Sequence, residues 1–413
     1  MTGFFPAKGP EKLSCRAASI VSVFMIQLAL SRNSIPTKQP VWIDSRPKLV
    51  NLIKELANEP LLAVDTESDS LYSYFEKVCL IQFSTPHTDY LIDPLSVDVS
   101  SLAPLFANPA SQKVFHAAEY DLLSLKRDYN FTFANLFDTM LAARILGWPR
   151  YGLGPILEEY FGVKLDKRFQ RHNWGQRPLS QQALDYARLD THYLLPLREI
   201  QMKQLREQRR WQEAQEAFER QTQVQPTHKV FDPNDFWRIK GSKDLDAQQQ
   251  AVLRELFIMR DKIARKIDRP PFKVMNDTAL VQLAKEQPQT ERALQEIKGL
   301  GAKLLQHDAQ HILKAIQDGL AAPPPQYHSN HHRPDEDTVV RYEALRQWRN
   351  MLAAERGVEP DVIIGNNTLM DIARHNPQTL TMLAQLGVLG NWQFDMYAQA
   401  ILDVLTGVSV QTP

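Results

Sequence analysis

The segment Leu61-Leu62-Ala63-Val64-Asp65-Thr66-Glu67 constrains this chain more than any other, because an apolar run that ends in two carboxylates has a defined geometry. In a β-strand, residues i and i+2 point to one face, so Asp65 and Glu67 project together from the end of a buried strand. Like charges so placed repel unless something neutralises them, and a divalent cation does that well. Taken alone, the same pattern also describes a strand running into an acidic turn.

Two further segments bear on that choice. Lys113-Val114-Phe115-His116-Ala117-Ala118-Glu119-Tyr120-Asp121-Leu122-Leu123-Ser124-Leu125 reads as a short strand turning into a helix. Asp121 falls near the helix start, where the dipole favours a carboxylate. Leu184-Asp185-Tyr186-Ala187-Arg188-Leu189-Asp190-Thr191-His192-Tyr193-Leu194-Leu195 follows Pro178-Leu179-Ser180, a helix entry with Ser180 as N-cap. Tyr186 and Asp190 then share one helical face at i, i+4. A first-turn acid and a Tyr/Asp pair are each ordinary by themselves.

Taken in this order and at these separations, the three segments resemble the exonuclease motifs of the DEDD superfamily in its tyrosine-bearing branch. The wider resemblance is to the ribonuclease D family. It runs through Leu136-Phe137-Asp138-Thr139-Met140-Leu141-Ala142-Ala143-Arg144, Gly152-Leu153-Gly154 and Trp174-Gly175-Gln176-Arg177-Pro178-Leu179-Ser180, and so covers most of residues 40 to 215. It implies two divalent ions, Mg²⁺ or Mn²⁺, held by Asp65, Glu67, Asp121 and Asp190. Asp65 would bridge both, Glu67 and Asp190 would hold the nucleophile-side ion, and Asp121 would serve the second, partly through water. Four carboxylates do suit hard, oxygen-seeking cations. Tyr186 would orient the attacking water, since a phenol of pKa ~10 is a poor base at neutral pH. Trp174, Arg177 and His116 are the candidate substrate contacts. Arg144, Arg150, Lys164, Lys167, Arg168 and Arg171 lie along the same stretch as candidate phosphate neutralisers.

The expected fold class is α/β: a ribonuclease H-like mixed sheet flanked by helices, followed by two small all-helical domains. The pattern gives a helix over 47–57, strands over 61–64, 77–84, 88–92 and 113–116, and mainly helices from 121 to 218. The second and third of those strands form a hairpin. At 413 residues the chain is long enough for two or three domains. We expect an N-terminal extension over 1–38, the exonuclease domain over 39–222, helical domains over 236–320 and 337–410, and a linker over 321–336 containing Pro323-Pro324-Pro325. The linker histidines His328, His331 and His332 read as solvated rather than as metal ligands. In the extension, Ala17 to Leu30 is apolar but broken by Ser19, Ser22 and Gln27; it reads as a disordered or loosely packed stretch rather than a spanning helix or signal peptide.

The two helical domains are copies of each other. Arg260, Pro271, Leu280, Ala284 and Pro288-Gln289-Thr290 recur as Arg349, Pro360, Leu369, Ala373 and Pro377-Gln378-Thr379, at an offset of about 89 residues. Each resembles the HRDC domain shared by RecQ-type helicases and ribonuclease D. Arg254, Arg260, Lys262, Arg265, Lys266, Arg269 and Lys273 of the first copy gather near Phe272, giving either a phosphate-binding face with a stacking ring or a solvated helix face.

Lys and Arg together number 48 and so do Asp and Glu, so no global charge pulls the chain toward nucleic acid and binding must come from such local patches. Two cysteines, Cys15 and Cys79, suit free thiols in a reducing compartment, and we expect a cytoplasmic protein with no membrane partner. The expected function is a 3′–5′ exoribonuclease that trims structured RNA precursors such as tRNA and releases nucleoside 5′-monophosphates. A DNA 3′–5′ exonuclease with the same four acids, or a noncatalytic RNA-binding scaffold, is the alternative.

Overall fold

The computed structural model describes residues 38–227, 230–327 and 334–408. The expectations for Ala17–Leu30, Cys15 and the linker histidines fall outside those residues.

A six-stranded sheet forms the first part: β1 (Val41–Ile43), β2 (Leu61–Ser68), β3 (Val78–Ser84), β4 (Asp89–Ile92), β5 (Gln112–Phe115) and β6 (Leu136–Asp138). Its spatial order is β1-β4-β3-β2-β5-β6. The β2–β3–β4 pairings are antiparallel, whereas β1 pairs with β4, and β5 with β2 and β6, in parallel. Every residue of β3 is buried, as a central strand covered on both faces requires, and its run Val-Cys-Leu-Ile-Gln-Phe-Ser is nearly all apolar.

Among the described residues, eight α-helices cover or extend this sheet: α1 (Arg46–Leu56), α2 (Ala103–Ala107), α3 (Glu119–Tyr129), α4 (Thr139–Leu146), α5 (Leu153–Phe161), α6 (Gln181–His192), α7 (Leu194–Glu207) and α8 (Trp211–Thr222). In α1 the apolar spacing does the work, burying Leu49, Leu52 and Leu56 on one stripe. This is the ribonuclease H-like mixed sheet flanked by helices that the sequence implies. β2 runs four residues further than its apolar part, so the two acids lie within the strand and not beyond it. The three-residue strands β1 and β6 are additions to the sequence reading; at that length no alternation marks a strand.

Two helical domains follow. The first contains α9 (Ala247–Lys266), α10 (Pro271–Val274), α11 (Asp277–Glu286), α12 (Glu291–Glu296) and α13 (Ala302–Ala321). The second contains α14 (Glu336–Arg356), α15 (Pro360–Ile363), α16 (Asn366–His375), α17 (Leu380–Gln385) and α18 (Asn391–Gly407). The repetition extends to single hydrogen bonds. Buried Arg260 donates from Nη1 to Met275 O at 3.0 Å and to Asp277 Oδ1 at 2.7 Å; buried Arg349 donates to Ile364 O and Asn366 Oδ1 at the same two distances. Thr290 and Thr379 cap α12 and α17 in the same way.

Both domains dock on the first. Tyr74 Oη donates to Asp261 at 2.7 Å, and Asp268 accepts the backbone N–H groups of Tyr74 and Phe75 at 2.9 and 3.0 Å. On the second domain, Glu359 and Asp361 receive Arg144 at 2.8 and 2.6 Å, and Arg356 pairs with buried Glu213. Glu216 of α8 accepts the N–H groups of Trp392 and Gln393 at the start of α18, at 2.6 and 3.2 Å.

Candidate active site

β2 carries the centre. Asp65 and Glu67 lie where β2 has passed beyond its pairing with β5, which ends at Ala63–Val114, and remains paired only with β3. Opposite them stands α6, whose N-cap Ser180 accepts from Ala183 N at 3.2 Å. The other side of α6 is bolted to the sheet through buried Asp89 of β4. That carboxylate takes Arg188 Nη2 at 2.9 Å, His192 Nδ1 at 3.0 Å and Ser84 Oγ at 2.7 Å, and Ser84 in turn meets Thr191 Oγ1 at 2.7 Å. These bonds fix the rotation of α6, so Asp190 faces β2. Carboxylate oxygens of Asp65, Glu67 and Asp190 lie within 4.8 Å of one another.

Asp121 joins from α3. Its carboxylate accepts a hydrogen bond from Thr66 Oγ1, on the residue between the two β2 acids. What aims α3 is Asp138, the N-cap of α4. Fully buried, it accepts from Met140 N and Leu141 N and, across the chain, from Ala117 N at 3.0 Å and Ala118 N at 2.9 Å. Ala117 has φ +62°, an uncommon value for a residue with a Cβ, and the Asp138 bonds hold that turn. The sequence shows Asp138 as a cap signal before an apolar helix, but nothing local ties it to Ala117.

Burial raises Asp65, Glu67 and Asp190 well above the usual carboxylate range, and their neighbours add like charge: Asp121, Asp190 and Glu67 all act on Asp65. Asp121 is pushed up to about 7, chiefly by burial. Crowded carboxylates that repel one another form a donor set that suits a hard divalent cation. The sign of the linkage follows. The Asp121 value, raised above an unfolded ~4, stabilises the metal-free protein fully below ~4, and that contribution is lost as pH rises through about 7. Cations bind the deprotonated groups. The rise in melting temperature that Mn²⁺ produces over EDTA is therefore expected to be larger at pH 8 than at pH 5; an equal or smaller rise at pH 8 would contradict the assignment.

Tyr186 is buried beside the acids and packs its ring between Phe169 and Trp174 at centroid distances of 5.5 and 6.2 Å. Burial, and then the charges of Asp190, Glu67 and Asp65, raise its phenol above the ordinary value. It therefore stays protonated at neutral pH. His116 Nδ1 lies 2.9 Å from Thr139 Oγ1, which itself donates to Phe115 O at 3.0 Å. With that hydroxyl proton in use, Nδ1 is the donor and Nε2 is left as an acceptor. Burial holds this imidazole down to about 4, so it is neutral.

Three expectations need correction. Trp174 is 2% exposed, part of the cluster that packs α6 on the sheet, and not a free stacking surface. Arg177 is fully engaged within the protein: it pairs with Asp93 at 2.7 Å and donates to Cys79 O and Trp174 O. Arg144 serves the docking of the second helical domain. Cys79 is buried and its thiol is pushed up to about 12 by that burial, which makes it unreactive. Among the described residues no helix is long and apolar enough to cross a membrane.

Comparison with known proteins matches this architecture. The family model for a 3′–5′ exonuclease covers residues 40–206, and the HRDC domain model matches twice, over 249–316 and 340–405. The chain carries a domain of the 3′–5′ exonuclease family followed by two HRDC domains. Its relatives include exosome exonucleases and a ribonuclease D. It is 31% identical to the exosome complex exonuclease RRP6 of Saccharomyces cerevisiae over 70% of this chain and 42% of that protein. Ribonuclease D of Bartonella henselae is 27% identical over 85% of this chain and 86% of that protein. The solved catalytic core of RRP6 from Trypanosoma brucei superposes with a TM-score of 0.65 at 27% identity, covering 72% of this chain and 85% of that one. The chain spans less than half the length of the first exosome relatives it matches. Metal dependence is implied by the exonuclease family and is consistent with the cluster of Asp65, Glu67 and Asp190.

Proposed function

We propose that this exonuclease domain hydrolyses RNA one nucleotide at a time from the 3′ end, using two divalent ions, Mg²⁺ or Mn²⁺, and releasing nucleoside 5′-monophosphates. The convergence of Asp65, Glu67 and Asp190 beside a protonated Tyr186 carries this reading. Asp65, Glu67, Asp190 and Asp121 would hold the ions. When bound, the ions supply an activated water and stabilise the leaving oxygen. Tyr186 keeps its proton and orients the attacking water by hydrogen bonding. Neutral His116 offers Nε2 as an acceptor to a substrate hydroxyl or base edge. RNA as substrate is supported by the ribonuclease D relative, whose likeness extends over most of both chains. The choice of structured precursors such as tRNA rests on the resemblance of the motifs.

A path for the strand is supported by a polar cavity of about 460 Å³ between the exonuclease domain and the first HRDC domain, lined by Asp69, Tyr72, Lys77, Asn173, Arg269 and Lys273. Asp69 lies two residues past Glu67, and Asn173 precedes the Trp174 that touches Tyr186. Lys77 is paired with Asp69, and Lys273 Nζ sits 3.5 Å from the Tyr72 ring centroid. Of the seven cations expected near Phe272, Arg260 is buried, Arg254 pairs with Glu255 and Arg265 lies over Tyr74. Lys262, Lys266, Arg269 and Lys273 are left, and of these Arg269 and Lys273, beside the 54% exposed Phe272, line the cavity and are offered to phosphates. Arg269→Ala with Lys273→Ala is expected to weaken RNA binding and to lower the log–log salt slope by ~0.7 per lost contact on single-stranded RNA. Titration at several salt concentrations measures this; an unchanged slope would move the strand elsewhere.

The reading itself is tested with a 5′-labelled RNA, incubated with Mg²⁺ or Mn²⁺ and with EDTA, beside a matched DNA oligonucleotide. A cation-dependent ladder shortening from the 3′ end is expected, with RNA preferred. Intact RNA under all conditions would overturn it, and a preference for DNA would assign the other nucleic acid.

A further inference from the structure

Gln82 sits in the middle of β3 and is completely buried. The register places it directly across from Asp65 on one side and Leu91 on the other. Residues directly opposite in an antiparallel pair share a face of the sheet. Gln82 therefore projects on the side of Asp65, under α6, where Leu80 and Leu91 pack against Tyr186 and Ala187. Two residues along the same face, Ser84 bonds Thr191, the neighbour of Asp190.

Among the described residues, neither Nε2 nor Oε1 of Gln82 has a hydrogen-bond partner. A buried amide with both ends unsatisfied is rare and unfavourable, and leucine would pack this position without that cost. Three features thus coincide: an amide, its complete burial, and its place in the row that begins with Asp65. An amide offers a donor and an acceptor together and carries no charge. It can hold a water against a carboxylate without competing with a cation for the site, as a lysine there would.

Resting on the carboxylate centre proposed above, we infer that Gln82 is a positioning residue of that centre, tied through buried water to Asp65 and Asp190 when a divalent cation is bound. Groups that orient metal ligands in this way are worth about 10- to 100-fold in affinity.

The test is Mn²⁺ titration by calorimetry on the full chain and on Gln82→Leu and Gln82→Met, two replacements of differing shape, with melting curves in EDTA. Mn²⁺ affinity is expected to fall about 10- to 100-fold while the metal-free melting temperature holds or rises. A folded variant that binds Mn²⁺ within twofold of the parent overturns the inference and leaves Gln82 as core. A parent that binds no Mn²⁺ overturns the carboxylate centre beneath it, a result separable from the first because it does not involve the variants. Neither readout depends on nuclease activity.

Discussion

Replacing Asp65 with Asn is expected to lower the rate of RNA hydrolysis at least about 10³-fold, equivalent to about 4 kcal/mol of barrier, while leaving the fold intact. Asp65 is the acid on which Asp121, Asp190 and Glu67 all act, so it occupies the electrostatic middle of the cluster. The substitution keeps shape but removes a charged oxygen ligand. It also removes a source of like-charge repulsion, so the metal-free melting temperature should not fall. Single-turnover rates in Mn²⁺, read beside melting by circular dichroism, separate the two effects. Hydrolysis within a few-fold of the parent would remove Asp65 from the centre, and a collapse in melting temperature would make its role structural.

Tyr186→Phe should cost roughly 10² in kcat with little change in KM, the pattern of an interaction made mainly in the transition state. The ring would keep its packing between Phe169 and Trp174, so only the hydroxyl is lost. A raised KM at normal kcat would point instead to the ring as a substrate contact.

Much of the centre was legible because it is written locally. Asp65-Thr66-Glu67 declares its geometry through the two-residue period of a strand, and Ser180, Tyr186 and Asp190 declare theirs through a cap and a helical turn. What was not legible depends on partners distant in sequence. Arg177 looks like a free cation until Asp93, 84 residues away, is folded against it. Arg260 sits in a basic run, yet its side chain turns inward to Met275 O. Trp174 could be a stacking platform or core, and only the packing of α6 decides. Asp138 shows why spacing is insufficient: one of its duties, capping α4, is local, while the other, holding the turn at Ala117, spans 21 residues.

The contact between Glu216 and α18 has a thermodynamic side. Gly390, the residue before α18, offers no side chain to cap it, and the N–H groups of Trp392 and Gln393 are satisfied by a carboxylate from the exonuclease domain. The helix thus starts on a borrowed cap. Undocking the second HRDC domain would uncover those donors and strand Glu213 without Arg356, so separation and fraying are linked. Sequence divides these two bodies, but their melting should be shared. Gly390 also keeps the joint narrow: a Cβ there would collide with the Glu216 carboxylate. A single methyl group at that position would push the Glu216 carboxylate aside and leave the Trp392 and Gln393 N–H groups without their cap.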